Sequence, residues 1–231
     1  MIPATRPTAV RIRDRTIHIE IPADPERLLQ DAVQAEAEGI RNADAYWGLL
    51  WDAAPRTADL LLSRTWPGGL HALELGCGIG LTGIAGLLAG LQVTFSDLVP
   101  SAVQLAQRNA ALSGFPAACG LVLDWREPPD QQFDLLIASD VLYDAQNHLP
   151  LLKTLDAMLA ADGTVWIGDA GRANLPLFIE RARSAGWKLE LFDQQFHPVS
   201  APTHVQFQLL ILNRCVTTES ASRTTDRDDR L

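Results

Sequence analysis

The sequence predicts an α/β fold built on a mostly parallel sheet, and three observations carry that prediction. From Leu70 onward, short apolar runs alternate with segments of helical character: "HALEL", a helix from about 80 to 89, "LQVTFSD", a helix from Pro100 to Leu112, "CGLVLDW", "FDLLIASD", a helix from about 146 to 160, and "GTVWIGD". Apolar runs separated in this way imply crossover connections and strands buried on both faces. After a helix near 174 to 185 come two further β-rich runs, "WKLELFDQQFH" and "HVQFQLLILN", whose turn-rich link "PVSAPT" favours an antiparallel pair and so a reversed last strand. The length, 231 residues with 47% hydrophobic content, suits one domain with a substantial core.

The elements ahead of this unit are accessory. In "VRIRDRTIHIEIP", Val10 and Ile12, then Ile17, Ile19 and Ile21, fall at period two around "RDR", which predicts a β-hairpin. "DPERLLQDAVQAEAEG" carries helix punctuation, with Pro25 early, acidic residues in the first turn and Gly39 at the end. "YWGLLWDAAPRTADLLLSR" is expected to be helical with a kink or restart at Pro55, and the spacing of Tyr46, Trp47 and Trp51 suits one buried helical face. The terminal "RCVTTESASRTTDRDDRL" is polar and charge-mixed, the composition of a disordered tail. The expected division is therefore an accessory hairpin and helix at 1–44, the α/β domain at 45–213 and a disordered tail at 214–231.

Composition narrows the function. A net charge of −9 and an isoelectric point near 4.9 argue against broad binding to nucleic acid or an anionic membrane, which needs a positive field. Cys77, Cys119 and Cys215 are widely spaced and odd in number, with neither zinc-ligand spacing nor a disulfide framework, so the chain reads as intracellular and reduced. "MIPATRPTAVRIRDR" has no apolar core of signal-peptide length, and the most apolar stretch, 79 to 95, is broken by four glycines. A cytoplasmic protein without a membrane span is expected. His197 and His204 flank a turn with no carboxylate or cysteine pattern beside them, which favours a surface role over metal binding.

The chemistry concentrates at strand ends. In "ELGCGIGLTG", Gly76, Gly78 and Gly80 alternate between a strand and a helix, where they permit positive φ and let backbone amides approach a ligand. A dinucleotide fingerprint needs glycine at position 81, where this chain has Leu81. "LQVTFSD" ends in Asp97, about 20 residues after the first glycine, where an acid can accept both hydroxyls of an adenosine ribose or cap the following helix. Asp124 and Trp125 close "LVLDW"; an aspartate can accept from an adenine amine while an indole stacks on the purine, though Trp125 also suits a core. In "LLIASDVLYD", Asp140 and Tyr143 lie three apart, and share one side if the chain turns helically there. The alternatives are a helix cap for Asp140 and core packing for Tyr143.

With Glu74 two residues before its first glycine, the G-x-G-x-G turn resembles motif I of the class I S-adenosylmethionine (SAM) methyltransferases. The D-x-x-Y of Asp140 and Tyr143, "YWGLLWDAA" ahead of the glycines and "LDW" after the third strand resemble the protein-lysine methyltransferases called methyltransferase family 16, over about residues 45 to 213. Within that family, "IGDAGRANLP" is similar to the G-D-P-G-R segment of the electron transfer flavoprotein β-subunit lysine methyltransferases and their bacterial relatives, with Ala170 at the proline. The resemblance implies a Rossmann-like, seven-stranded class I methyltransferase sheet with an antiparallel last strand, SAM as cofactor, and methylation of a lysine in a protein substrate. It further implies that Trp51, Glu74, Gly76, Cys77, Gly78, Gly80, Asp97, Asp124, Trp125 and Ser139 serve the cofactor, while Asp140 and Tyr143 handle the acceptor. Two alternatives stay open: N-methylation of a small amine such as nicotinamide, and a noncatalytic SAM-binding partner protein. Arg172, in "GDAGR", is expected either to contact substrate or to start a helix.

Overall fold

The structure is a computed structural model that describes residues 2–38 and 46–214. The hairpin forms as the alternation requires. Strands β1 (Thr5–Ile12) and β2 (Arg15–Pro22) pair antiparallel with Val10 opposite Ile17, and Ile12, Ile17 and Ile19 are buried. Arg13 supplies the positive φ that the two-residue turn needs. Helix α1 (Pro25–Ala37) follows; its expected end at Gly39 and the tail from Cys215 lie outside the described residues.

The segment expected to be one kinked helix is two elements. Tyr46–Gly48 is a single 3-10 turn, residues 49 to 52 are non-helical, and α2 spans Ala53–Leu62. Pro55 therefore sits in the first turn of α2, where a missing N–H disrupts no helical bond. Tyr46, Trp47 and Trp51 consequently share no helical face: Trp47 is buried and Tyr46 is exposed.

The main sheet comprises β3 (His71–Leu75), β4 (Gln92–Asp97), β5 (Cys119–Val122), β6 (Phe133–Ser139), β7 (Leu159–Asp169), β8 (Trp187–Phe192), β9 (Pro198–Val199) and β10 (Gln208–Arg214). Their order is β5-β4-β3-β6-β7-β10-β8-β9. β10 runs antiparallel to both neighbours, as the turn-rich link implied; the seven expected strands are joined at the edge by the two-residue β9. β7 starts at Leu159, earlier than "GTVWIGD", because "AADG" is absorbed as an irregularity in its pairing with β6 rather than forming a separate turn.

Period-two alternation divides the core between the two faces of this sheet. Ala72, Phe95, Leu135 and Ile137 pack with α2, α3 (Leu81–Leu88), α4 (Pro100–Leu112) and the hairpin. Leu73, Leu75, Leu136 and Ala138 pack with α5 (His148–Met158) and α6 (Leu175–Ser184) on the other. Among the described residues, no helix is long and apolar enough to cross a membrane.

One buried amide joins the hairpin to the rest. Asn109 of α4 donates to the carbonyls of Glu20 and Ile79, both at 2.9 Å, and its Oδ1 accepts from the Glu20 amide at 2.7 Å. Because Asn109 is fully buried, losing it strands these groups without solvent. Asn109→Ala is expected to destabilise the chain by roughly 2–3 kcal/mol in urea unfolding; a change within experimental error would show that the hairpin docks without it.

Candidate active site at the carboxyl edge of the sheet

The carboxyl ends of β3, β4, β5 and β6 open into one cavity of about 690 Å³, roofed by the 46–51 segment. That size suits a small organic ligand or cofactor. Its floor is the glycine turn, where Gly76, Gly78 and Gly80 all adopt positive φ. At Gly78 a Cβ would lie 2.8 Å from the Trp47 carbonyl oxygen, so the roof rests directly on the turn. The turn is held to the next strand: the Cys77 amide donates to the Ser96 carbonyl at 2.8 Å, and the Gly78 amide to Asp97 Oδ2 at 3.0 Å.

Of the twelve residues that the sequence nominated, eleven line this cavity: Trp51, Glu74, Gly76, Cys77, Gly78, Asp97, Asp124, Trp125, Ser139, Asp140 and Tyr143. Gly80 does not. It is the N-cap of α3, and a Cβ there would meet Ala106 of α4 at 2.8 Å, so its glycine is required by helix packing.

Asp97 is nearly buried, and its Oδ1 accepts the Val99 amide at 3.0 Å at the start of α4. Asp97 therefore both meets the start of α4 and lines the cavity. Asp124 accepts from the backbone and guanidinium of Arg126, with Arg126 Nη2 at 2.7 Å. Ser139 shares a 3.0 Å hydrogen bond with Thr82, and the Cys77 thiol is free and buried, its pKa pushed up by desolvation. Trp51 donates from its indole to the Tyr46 carbonyl at 2.9 Å, and its ring contacts Tyr46, which in turn meets Tyr143 edge to face with centroids 5.9 Å apart.

Glu74 projects onto the α3 face and is buried. Desolvation raises its pKa to about 8, against the lowering effects of the Gly83 amide and the Thr82 hydroxyl, and Oε2 has no hydrogen-bond partner. A neutral carboxyl at pH 7 is the form this environment selects.

Asp140 and Tyr143 do not share a helical turn. Asp140 has φ of 60°, its amide donates to the Gly168 carbonyl at 2.8 Å, and the chain through Tyr143 is irregular. Asp140 also caps no helix; its carboxylate, 1% exposed, pairs with Arg172, which lies just ahead of α6. Tyr143 is 40% exposed at the cavity mouth rather than packed in the core.

Four supporting residues were missed from sequence. Asp169, fully buried, accepts the amides of Gly171 and Arg172 at 2.8 Å each and so shapes "GDAGR"; an acid two and three residues before those amides was the available signal. His148 is buried beneath the Asp140–Tyr143 loop, where Nε2 lies 3.1 Å from the Leu142 carbonyl and so carries the proton, while burial lowers its pKa. Leu29 and Val33 of α1 reach the cavity wall although both are exposed, and only their helical spacing hinted at it. No group of three metal-ligating side chains occurs among the described residues.

A model of the lysine methyltransferase family matches residues 39–177. The chain belongs to that family. Among family relatives, the electron transfer flavoprotein beta subunit lysine methyltransferase of Danio rerio is 30% identical over 133 residues, covering 56% of this chain and 52% of the relative. EEF1A lysine methyltransferase 3 of Mus musculus is 30% identical over 150 residues, covering 62% and 64%. The match to the flavoprotein methyltransferase thus spans about half of that relative's length. The fold is that of a TehB-like SAM-dependent methyltransferase from Corynebacterium glutamicum, with a TM-score of 0.60 and 23% identity over 84% of this chain and 99% of that one. A glycopeptide N-methyltransferase, MtfA, complexed with SAM has a TM-score of 0.55 at 14% identity over 71% and 95%.

The Glu74 carboxyl links this site to pH. Folded, it holds its proton to about pH 8, whereas unfolded it releases it near its ordinary value of 4.5, so the native state binds the extra proton between those limits and loses stability as pH rises through them. Glu74→Gln removes that loss. Relative to wild type, the variant should gain about 1 kcal/mol of stability per pH unit across this window, measured by urea unfolding at pH values near both limits; a pH-independent difference would contradict a buried neutral Glu74.

Proposed function

We propose that this chain is a SAM-dependent N-methyltransferase whose acceptor is a lysine side chain of a protein. The observation that carries the reading is the joining, in one cavity, of the glycine turn and Asp97 to a buried carboxylate and an aromatic mouth, Asp140 and Tyr143. Membership of the lysine methyltransferase family supports it.

The residues fit the cofactor. Gly76 leaves space that a Cβ would take, 3.1 Å from Val141 and 3.7 Å from Trp125, and the Asp97 carboxylate lines the same cavity. Asp97 is assigned to the ribose, Trp125 and Asp124 to the adenine, and Gly76 to Gly78 with Ser139, Glu74 and Trp51 to the remainder. When bound, SAM supplies a methyl group on a sulfonium, open to in-line attack by a nitrogen lone pair. Trp51, Tyr46 and Tyr143 exclude water from that line. Asp140 and Tyr143 orient the acceptor nitrogen. The amine gives up its proton before it can attack, since a protonated lysine has no lone pair.

The same reading makes 45–213 the catalytic domain and the hairpin and α1 accessory, and puts the protein in the cytoplasm, where the free thiols of Cys77 and Cys119 persist. The "GDAGR" segment and the relatives named for it make the electron transfer flavoprotein β subunit the first acceptor to assay.

The decisive assay is incubation with methyl-labelled SAM and a lysate from cells lacking this protein. A discrete labelled band carrying methyl-lysine is expected; label confined to the small-molecule fraction would replace the reading with small-amine methylation, and no label despite SAM binding would favour a noncatalytic partner. Two substitutions separate the halves of the cavity. Asp97→Ala should weaken SAM binding by roughly 1–3 kcal/mol in calorimetry, and an unchanged affinity would remove Asp97 from the cofactor site. Asp140→Ala should leave cofactor affinity close to wild type while cutting methyl transfer by about 100-fold or more; full activity would exclude Asp140 from acceptor handling.

A further inference from the structure

Asp140 does not meet the cavity as a bare charge. Arg172 grips it with two parallel hydrogen bonds, Nε to Oδ1 at 2.7 Å and Nη2 to Oδ2 at 2.5 Å. The grip is built from both sides. Asp169 holds the Gly171 and Arg172 amides, the Val205 amide donates to the Gly171 carbonyl at 3.1 Å, and the guanidinium lies 5.2 Å from the Trp51 ring centroid. A second cavity of about 580 Å³, with Arg56, Arg172, His204 and Phe207 in its walls, shares Leu50, Trp51 and Asp140 with the first. The ion pair is therefore part of the partition between the two.

This arrangement bears on a difficulty in amine methylation. A buried carboxylate attracts an ammonium, yet that attraction also favours the protonated form, which has no lone pair. A guanidinium on the same carboxylate counters the attraction, and it keeps its charge at every pH of interest. The two bonds from Arg172 occupy one acceptor position on each oxygen and leave the others to orient an amine. Other polar groups surround the pair without replacing this role. Asp52 and Asp169 act on Arg172 by charge, Arg56 and His204 line the second cavity, and Asp144 and Tyr143 line the first.

We propose that Arg172 is a positioning residue that stays on Asp140 during the reaction and balances its charge, so that the acceptor docks as a free amine, its proton passing to water. This rests on the reading of Asp140 as the acceptor-side carboxylate. It differs from a latch, in which the substrate cation would push Arg172 aside.

The test uses the full chain, as wild type, Arg172→Gln and Arg172→Lys, with methyl-labelled SAM. The acceptor probe is protein lysate from cells lacking this enzyme, at saturating concentration, so that the pH dependence belongs to the bound complex. Methyl-lysine is quantified after hydrolysis from about pH 6 to about pH 10, and SAM affinity is measured by calorimetry on all three proteins. In Arg172→Gln the rise of rate with pH should move about one unit to the alkaline side, a loss of about tenfold at neutral pH that high pH restores. Arg172→Lys, which keeps the charge and not the fork, should stay near the wild-type profile, and SAM affinity should be unchanged throughout. A profile in Arg172→Gln that coincides with wild type, a loss that no pH restores while SAM still binds, or faster transfer at neutral pH would each overturn the proposal. If wild type forms no methyl-lysine at any pH, the acceptor reading itself fails, which is a separate result from an unmoved profile in an active enzyme.

Discussion

The bond from the Gly78 amide to Asp97 is the constraint on which the site depends. It joins the turn after β3 to the end of β4, so the floor of the cavity and the carboxylate assigned to ribose are placed by one contact. Positive φ at Gly78 aims the amide, and the missing Cβ lets the Trp47 carbonyl close over it. The far side of the same turn is fixed independently, because Asn109 takes the Ile79 carbonyl while holding the hairpin. An appendage remote in sequence is thereby tied to the turn. This gives the accessory hairpin a physical reason to be attached to α4.

The sheet edge was legible in the sequence because the information there is local. Apolar runs of strand length followed by glycine or an acid mark where a parallel strand stops, and open α/β sheets bind ligands at that end. Asp97, Asp124, Trp125 and Ser139 all reach the cavity on that logic alone. The 46–52 segment was misread because aromatic spacing does not distinguish a buried helical stripe from a folded-over cover. There the Trp47 carbonyl seats on Gly78 while the Trp51 indole turns back to the Tyr46 carbonyl, which a continuous helix would not permit. Gly80 lies outside the cavity for a related reason: a glycine needed for helix packing and one that faces a cavity look alike until Ala106 is seen behind it. The pair of Asp140 and Arg172 is 32 residues apart, from the end of β6 to just past β7, and no periodicity encodes it.

Among the described residues, four buried acids lie near one sheet edge, and the chain deals with each of these four differently. Asp97 is met by backbone amides of two loops, and Asp169 by amides of its own loop. Glu74, with one oxygen unpartnered, is held neutral. Asp140 alone is given a guanidinium. Burying four uncompensated charges together would destabilise the sheet by far more than a domain's net stability, so the different solutions are conditions for the fold as well as for the site.

These solutions also differ in what they leave available. Amides of rigid loops cannot be exchanged by a ligand, so the Asp97 carboxylate is held in a fixed orientation. A neutral Glu74 adds no field toward the cavity. Of these four, Asp140 is compensated by a long side chain whose guanidinium also lines a cavity, as the less buried Asp124 is by Arg126. On the proposed reading, binding geometry falls to the backbone and charge balance at the acceptor to Arg172. Asp140 is thus buried and yet lines both cavities, its carboxylate held by the Arg172 fork of this chain.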